Sequence, residues 1–314
     1  MNYKPLRKYI PDFLEYLEIE RGLAEKTQIN YDRYLKKFTD WLMLTNKTDL
    51  TPPLFTADLI WQYRIFLAKK IQGREKTLKR TTQNYYLIAL RGLLSYFSDK
   101  NIPCLPPDKV KLAKDDKSGQ KIKFLSLDQI ERLLLTPNAD SLIGLRDRAI
   151  LETLFSTGLR VSELASLNRD TINLDRKEFG VVGKGGKERV VFISDSASDW
   201  LEKFLSVRKD TFKPLFIRFQ GKQDPTNNGE SMRLTTRSIE RVVEKYVKTL
   251  GLPIKATPHT LRHSFATDLL INGADIRSVQ EMLGHSNIST TQIYTHVTNA
   301  HLKDVHKSFH SGNK

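Results

Sequence analysis

From Pro107 to Phe124 the chain loses its apolar rhythm: Lys109, Lys111, Lys114, Lys117, Lys121 and Lys123 stand against Asp108, Asp115 and Asp116, with Gly119 among them. A segment of that composition has almost nothing to bury. It reads as a connector, and it divides the chain into two pieces that must each fold around a core of their own. Length agrees, because 314 residues exceed a comfortable single core. The hydrophobic fraction of 39% suffices for two. The expected partition is a first domain over 1–106, a charged linker over 107–123 and a second domain over 124–314.

The first piece reads as helices. Tyr31, Tyr34, Leu35, Phe38, Trp41 and Leu42 recur at three- and four-residue spacing and place one apolar stripe toward a core, and Tyr86, Leu90, Leu93, Leu94 and Phe97 repeat the pattern. Leu59, Tyr63, Phe66 and Leu67 mark a third helix, with Thr56 as its N-cap. The expected product is a small helical bundle. Arg33, Lys36, Lys37, Lys69, Lys70, Arg74, Lys79 and Arg80 surround it with positive charge.

The second piece opens on Ser126-Leu127-Asp128-Gln129, a capping-box pattern. A helix through Ile150, Leu151, Leu154 and Phe155 stops at Gly158. Two β-like runs, Phe179–Val182 and Arg189–Ile193, flank Lys-Gly-Gly-Lys as a hairpin. Trp200, Leu201, Phe204 and Leu205 mark a further helix, Leu215–Phe219 a further strand, and Ile239, Val242, Val243, Tyr246 and Val247 a helix ending at Gly251. Residues 220–232 are polar and turn-rich and read as a surface loop without an assigned role. The fold class is therefore mostly α with a small β-sheet: a helical bundle followed by an α+β domain.

Lysine and arginine total 51 against 36 acidic residues, a formal charge of +15, which calls for a polyanionic partner such as nucleic acid. The single cysteine, Cys104, excludes an internal disulfide and a cysteine-based zinc cluster. Charges interrupt every apolar stretch of MNYKPLRKYIPDFLEYL, so it carries neither a signal-peptide core nor a spanning segment; a cytoplasmic protein without membrane attachment is expected.

Chemistry-bearing residues gather in four segments: TGLRVSEL with Arg160, VVGKGGKERVV with Lys184, PHTLRHSFAT with His259 and Arg262, and LGHSNISTTQIYTH with His285 and Tyr294. A phosphodiester under attack gains charge on its non-bridging oxygens, and planar, permanently charged guanidiniums suit that charge best. Arg160 directly follows a helix stop. Arg262 lies one turn beyond His259 on a helix opened by Pro258, so the two project together. Glu163, three residues past Arg160, is placed to orient its guanidinium. Tyr294 offers a nucleophile that needs help losing its proton, and Lys184 or Lys187 in the glycine-flanked turn offers an ammonium for a departing oxygen. Two rival motifs fail. His259 and His263 have zinc-pair spacing, but Thr260 stands where a zincin has glutamate, and GKGGKER lacks the spacing and the Ser or Thr of a P-loop.

In this order, behind a basic domain, the four segments closely resemble the tyrosine recombinases of the phage-integrase family, and within it the Xer recombinases. The resemblance is strongest from about Phe124 to His310. It implies a core-binding, SAM-like first domain that clamps duplex DNA and a catalytic second domain working without metal or cofactor. It also implies roles: Arg160 and Arg262 as phosphate clamp, Lys184 rather than Lys187 as general acid, His259 as proton acceptor, His285 as a hydrogen-bond donor to the phosphate or a holder of the geometry, and Tyr294 as nucleophile forming a 3′-phosphotyrosyl bond. The partners it implies are double-stranded DNA with specific sites, a homotetramer or a heterotetramer with a related recombinase, and a DNA translocase or accessory regulator. The stripe Leu302, Val305 and Phe309 is then a tail that packs on a neighbouring subunit, or on its own domain. The implied task is multimer resolution of chromosomes or plasmids. The rivals are a mobile-element integrase with the same chemistry, a monomeric type IB topoisomerase and a non-cleaving DNA-binding regulator.

Overall fold

The computed structural model describes residues 3–69, 77–113, 123–183, 186, 188–222, 224, 226–252 and 254–284. The chain divides into two compact units, Met1–Gln120 and Lys121–Lys314.

The first unit packs α1 (Ile10–Ile19), α2 (Glu25–Leu44), α3 (Ala57–Ala68) and α4 (Arg80–Asp99) around one core. The stripes on α2, α3 and α4 fall where spacing predicts: Leu35, Phe38, Trp41, Leu42, Tyr63, Leu67, Leu90, Leu93, Leu94 and Phe97 are buried. The Thr56 side chain accepts from the Leu59 N–H and caps α3. Phe38 and Tyr63 meet edge to face with ring centroids 5.1 Å apart, a geometry that adds to simple burial. Helix α1 escaped the periodicity reading although Ile10, Phe13, Tyr16 and Leu17 follow the same spacing and Pro11 stands in its first turn.

The expected linker is shorter on its leading side than composition suggests. Residues 107–113 belong to the first unit: Val110 is buried in its core, and the Asn84 side chain exchanges two hydrogen bonds with the backbone of Ala113. One valine and one asparagine thus outweigh the run of charges. Residues 114–122 lie outside the described residues.

The second unit is organised by α6 (Leu142–Thr157), buried along nearly its whole length. Around it lie α5 (Leu127–Leu135), α8 (Asp195–Ser206), α9 (Thr236–Thr249) and α10 (Pro258–Ile271), with the shorter α7 (Val161–Ser166) and α11 (Ile276–Leu283). Ser126 and Gln129 form the expected capping box on α5. Strands β1 (Glu178–Val182) and β2 (Glu188–Phe192) pair antiparallel, with Val182 opposite Glu188, so the hairpin reading holds. The expected strand at Leu215–Phe219 is absent. That segment makes an isolated bridge from Ile217 to Arg233, with backbone hydrogen bonds from the Arg218 N–H to the Met232 carbonyl and from the Leu234 N–H to the Phe216 carbonyl, and the pairing does not extend into a ladder, although Leu215, Phe216 and Ile217 are buried. The loop 220–232 is pinned at its end, where Gly229 packs against Phe212 and Met232 is buried. Among the described residues no helix is long and apolar enough to cross a membrane.

Candidate active site

Three of the six sequence-selected residues are described, and the fold brings them together. Helix α6 ends at Gly158, whose φ of +58° is a left-handed conformation that any Cβ would strain. A side chain there would also drive a Cβ to 2.4 Å from the Phe265 ring. This turn delivers Arg160 to the start of α7, one-quarter exposed. Arg262, on the first turns of α10, is 5% exposed, which rules out the surface ion pair that is the ordinary fate of an arginine.

The two guanidiniums converge on the end of α11. Arg262 donates from Nη1 to the Gly158 carbonyl and from Nη2 to the Leu283 carbonyl, both at 2.6 Å. Arg160 donates from Nη2 to the Gly284 carbonyl at 2.9 Å. A helix C-terminus leaves carbonyls without intrahelical partners and carries partial negative charge, so the arginines satisfy it and are oriented by it. Gly284 caps α11 at a φ of +62° and immediately precedes His285 in the sequence.

Glu163 orients Arg160 as its spacing suggests. Its carboxylate accepts from the Arg160 backbone N–H at 2.8 Å and from Nη1 at 2.7 Å. Sequence reading missed a second cation on the same carboxylate: Arg189 of β2 donates to both Glu163 oxygens, at 3.0 and 2.8 Å. The signal was present. Arg189 is in phase with Val191 and Ile193, both buried, so a period-two reading puts a charge on the inward face and demands a partner for it. Burial alone would raise the Glu163 carboxyl, but the hydrogen bonds from Arg189 and Arg160 outweigh it and hold its pKa at about 2.

His259 lies on the first turn of α10, within the electrostatic reach of both arginines. Loss of part of its water shell, then the positive charges of Arg262 and Arg160, push its imidazole below the ordinary value. It is therefore neutral at pH 7 and able to accept a proton. His263 is depressed by burial first and by His259 and Arg262 next. Among the described residues no group of three His, Cys, Asp or Glu side chains is placed to hold a metal ion.

Lys184, His285 and Tyr294 lie outside the described residues, as does the competing Lys187. The described frame of the Lys184 turn is the hairpin itself, closed by a hydrogen bond from the Gly186 N–H to the Gly183 carbonyl, with Gly186 at a φ of +75°.

Residues 123–301 match the Phage integrase family, and residues 10–101 match the Phage integrase, N-terminal SAM-like domain. Among curated relatives, "Tyrosine recombinase XerD" of Listeria monocytogenes is 38% identical over 309 residues, covering 96% of this chain and 98% of that protein. "Tyrosine recombinase XerC" of Thermodesulfovibrio yellowstonii is 35% identical over 306 residues and covers 96% of each chain. Among solved structures, XerH recombinase bound to its difH substrate before cleavage has a TM-score of 0.71 at 21% identity, covering 96% of this chain and 97% of that one.

Proposed function

The chain belongs to the phage integrase family and is a site-specific tyrosine recombinase, and on that premise we propose a division of labour among its residues. Tyr294 attacks the scissile phosphorus and forms a 3′-phosphotyrosyl bond. Its proton passes to His259. Arg160 and Arg262 neutralise the charge that grows on the non-bridging oxygens, and His285 donates a further hydrogen bond to them. Lys184 protonates the departing 5′-oxygen. The new ester keeps the energy of the broken bond, so a 5′-hydroxyl from another strand reverses the chemistry and reseals the duplex without an external energy source.

The observation that carries this reading is the meeting of Arg160 and Arg262 at one helix end, beside an imidazole whose neutral form they favour. A fixed pair of cations costs no reorganisation when charge develops, which is where most of the rate enhancement of such a site arises. The neutral imidazole is the form that accepts the phenol proton.

The proposed setting is DNA-bound assembly, as a homotetramer or with a second recombinase type, in the cytoplasm, with the first unit gripping the duplex. The proposed task is multimer resolution of chromosomes or plasmids, which is consistent with curated relatives named XerD and XerC, and element mobility is the alternative. The experiment is a nicked suicide duplex presented to Tyr294→Phe. The variant binds the duplex with wild-type affinity and forms no covalent protein–DNA adduct. An adduct from the phenylalanine protein moves the nucleophile elsewhere.

A further inference from the structure

Arg189 ties together parts of the second unit that are far apart in sequence. Its Nη1 and Nη2 grip both oxygens of Glu163, while Nε donates to the Met282 carbonyl in the last turn of α11 at 3.2 Å. Its stem lies against Gly284, where an added Cβ would stand 2.9 Å from Nη1 and 3.0 Å from Cδ. The pair is enclosed, with Arg189 11% and Glu163 5% exposed at the side chain. The same Glu163 carboxylate holds the backbone and the guanidinium of Arg160. A displacement of Arg189 therefore displaces Glu163, and with it Arg160.

We propose that Arg189 is a positioning residue for strand cleavage: through Glu163 it fixes the guanidinium of Arg160, and through Met282 it holds the end of α11 in the same frame. The inference rests on the reading of Arg160 as phosphate clamp. Each of the three Arg189 nitrogens donates to a protein acceptor, and the side chain is 11% exposed, so the role argued for it is to hold its neighbours. Its planar fork is essential to the role. A lysine keeps the charge but is a single donor point that cannot span both carboxylate oxygens and a carbonyl on the opposite side.

The test uses the full-length protein on the nicked suicide duplex. Arg189→Lys slows adduct formation by about 10²-fold, the loss that a small misplacement of a catalytic group brings, while duplex affinity stays at its wild-type value at a temperature where the variant is folded. Glu163→Gln slows it too, and Arg189→Lys adds little on top, because residues acting through one chain of contacts are not additive. A substrate with sulfur as the 5′-bridging atom, whose departure needs no proton, leaves the Arg189→Lys defect in place. Wild-type rates in Arg189→Lys overturn the inference, as do fully additive losses. Rescue by the sulfur substrate also overturns it, since the defect would then lie with the leaving-group acid. If Arg189→Lys melts early, Arg189→Gln combined with Glu163→Gln removes both buried charges together and carries the same test. That double variant folds and stays as slow as Glu163→Gln alone; fast cleavage by it refutes the role. Wild-type protein that forms no adduct defeats the reading of the whole site, whereas a reactive wild type with a fast Arg189→Lys defeats only this inference.

Discussion

The two units solve the problem of a core with opposite chemistries. Among the described residues, the buried charged side chains all belong to the second unit: Arg146, Asp147, Arg148, Glu152, Glu163, Arg208 and Arg262. The buried side chains described in the first unit are aliphatic and aromatic, among them Phe13, Phe38, Trp41, Phe55, Tyr63 and Phe97. A core that holds no cation at a fixed point is served best by an apolar, close-packed interior. A body that must hold cations at fixed points has to take them out of water, and each then requires acceptors already in place. The second unit supplies them throughout. Arg146 and Tyr246 share Asp147, Arg148 pairs with Glu152, and Arg208 donates to Asp210 and to the Pro214 and Leu215 carbonyls.

This contrast is most easily broken by emptying the dry core. Phe97→Ala removes a fully buried ring from α4 and destabilises the first unit by about 3–5 kcal/mol, read by urea unfolding. The unfolding of the second unit keeps its midpoint. Transitions that shift together would mean one cooperative body, and the contrast would fail.

Acidification sharpens the contrast from the other side. The Glu163 carboxyl is held at about 2 against an ordinary 4.5, so the unfolded chain takes up its proton first as pH falls. Its contribution is complete above about pH 5 and is lost between there and pH 2, about 3 kcal/mol in all. Unfolding of the second unit measured at pH 7 and pH 3 shows about 2 kcal/mol of that loss, and Glu163→Gln abolishes the part due to this group. A second unit as acid-resistant with Glu163 as without it would contradict the assignment.

The smallest effect is a gain. The Tyr63 hydroxyl is buried among Phe38, Trp41 and Phe66 and has no hydrogen-bond partner among the described residues, and burial keeps its proton on well beyond the usual phenol range. Tyr63→Phe stabilises the first unit by about 1 kcal/mol, since an unsatisfied buried hydroxyl is removed with the ring kept. A lower melting temperature would show that the hydroxyl does have a partner and that this core is not dry.

Much of this was legible before any coordinates. Stripes at helical spacing placed α2, α3, α4 and α9, and the caps at Thr56, Ser126 and Gly158 stand where residue type alone put them. Local rules succeed there because the interaction spans three or four residues. They failed at Leu215–Phe219, where apolar residues are buried without forming a ladder, and at Val110, whose burial against α4 depends on contacts distant in sequence. Arg189 shares its motif with the lysines of the turn, and it is the inward phase of β2 that marks it as a buried charge in need of a partner.

Residue order alone determined the division into two folding bodies, the helix limits set by caps and stops, and the supply of guanidinium, imidazole, phenol and amine groups in a basic chain. Only the tertiary structure decided how the cations are held. Arg262 takes one carbonyl 104 residues away and another 21 residues away, and Arg160 takes a third 124 residues away. Every residue carries a carbonyl, so no residue type marks the ones that will be left unpaired at the end of a helix and turned toward an arginine. Packing of α6, α10 and α11 selects them, and that selection is what turns two distant arginines into a pair.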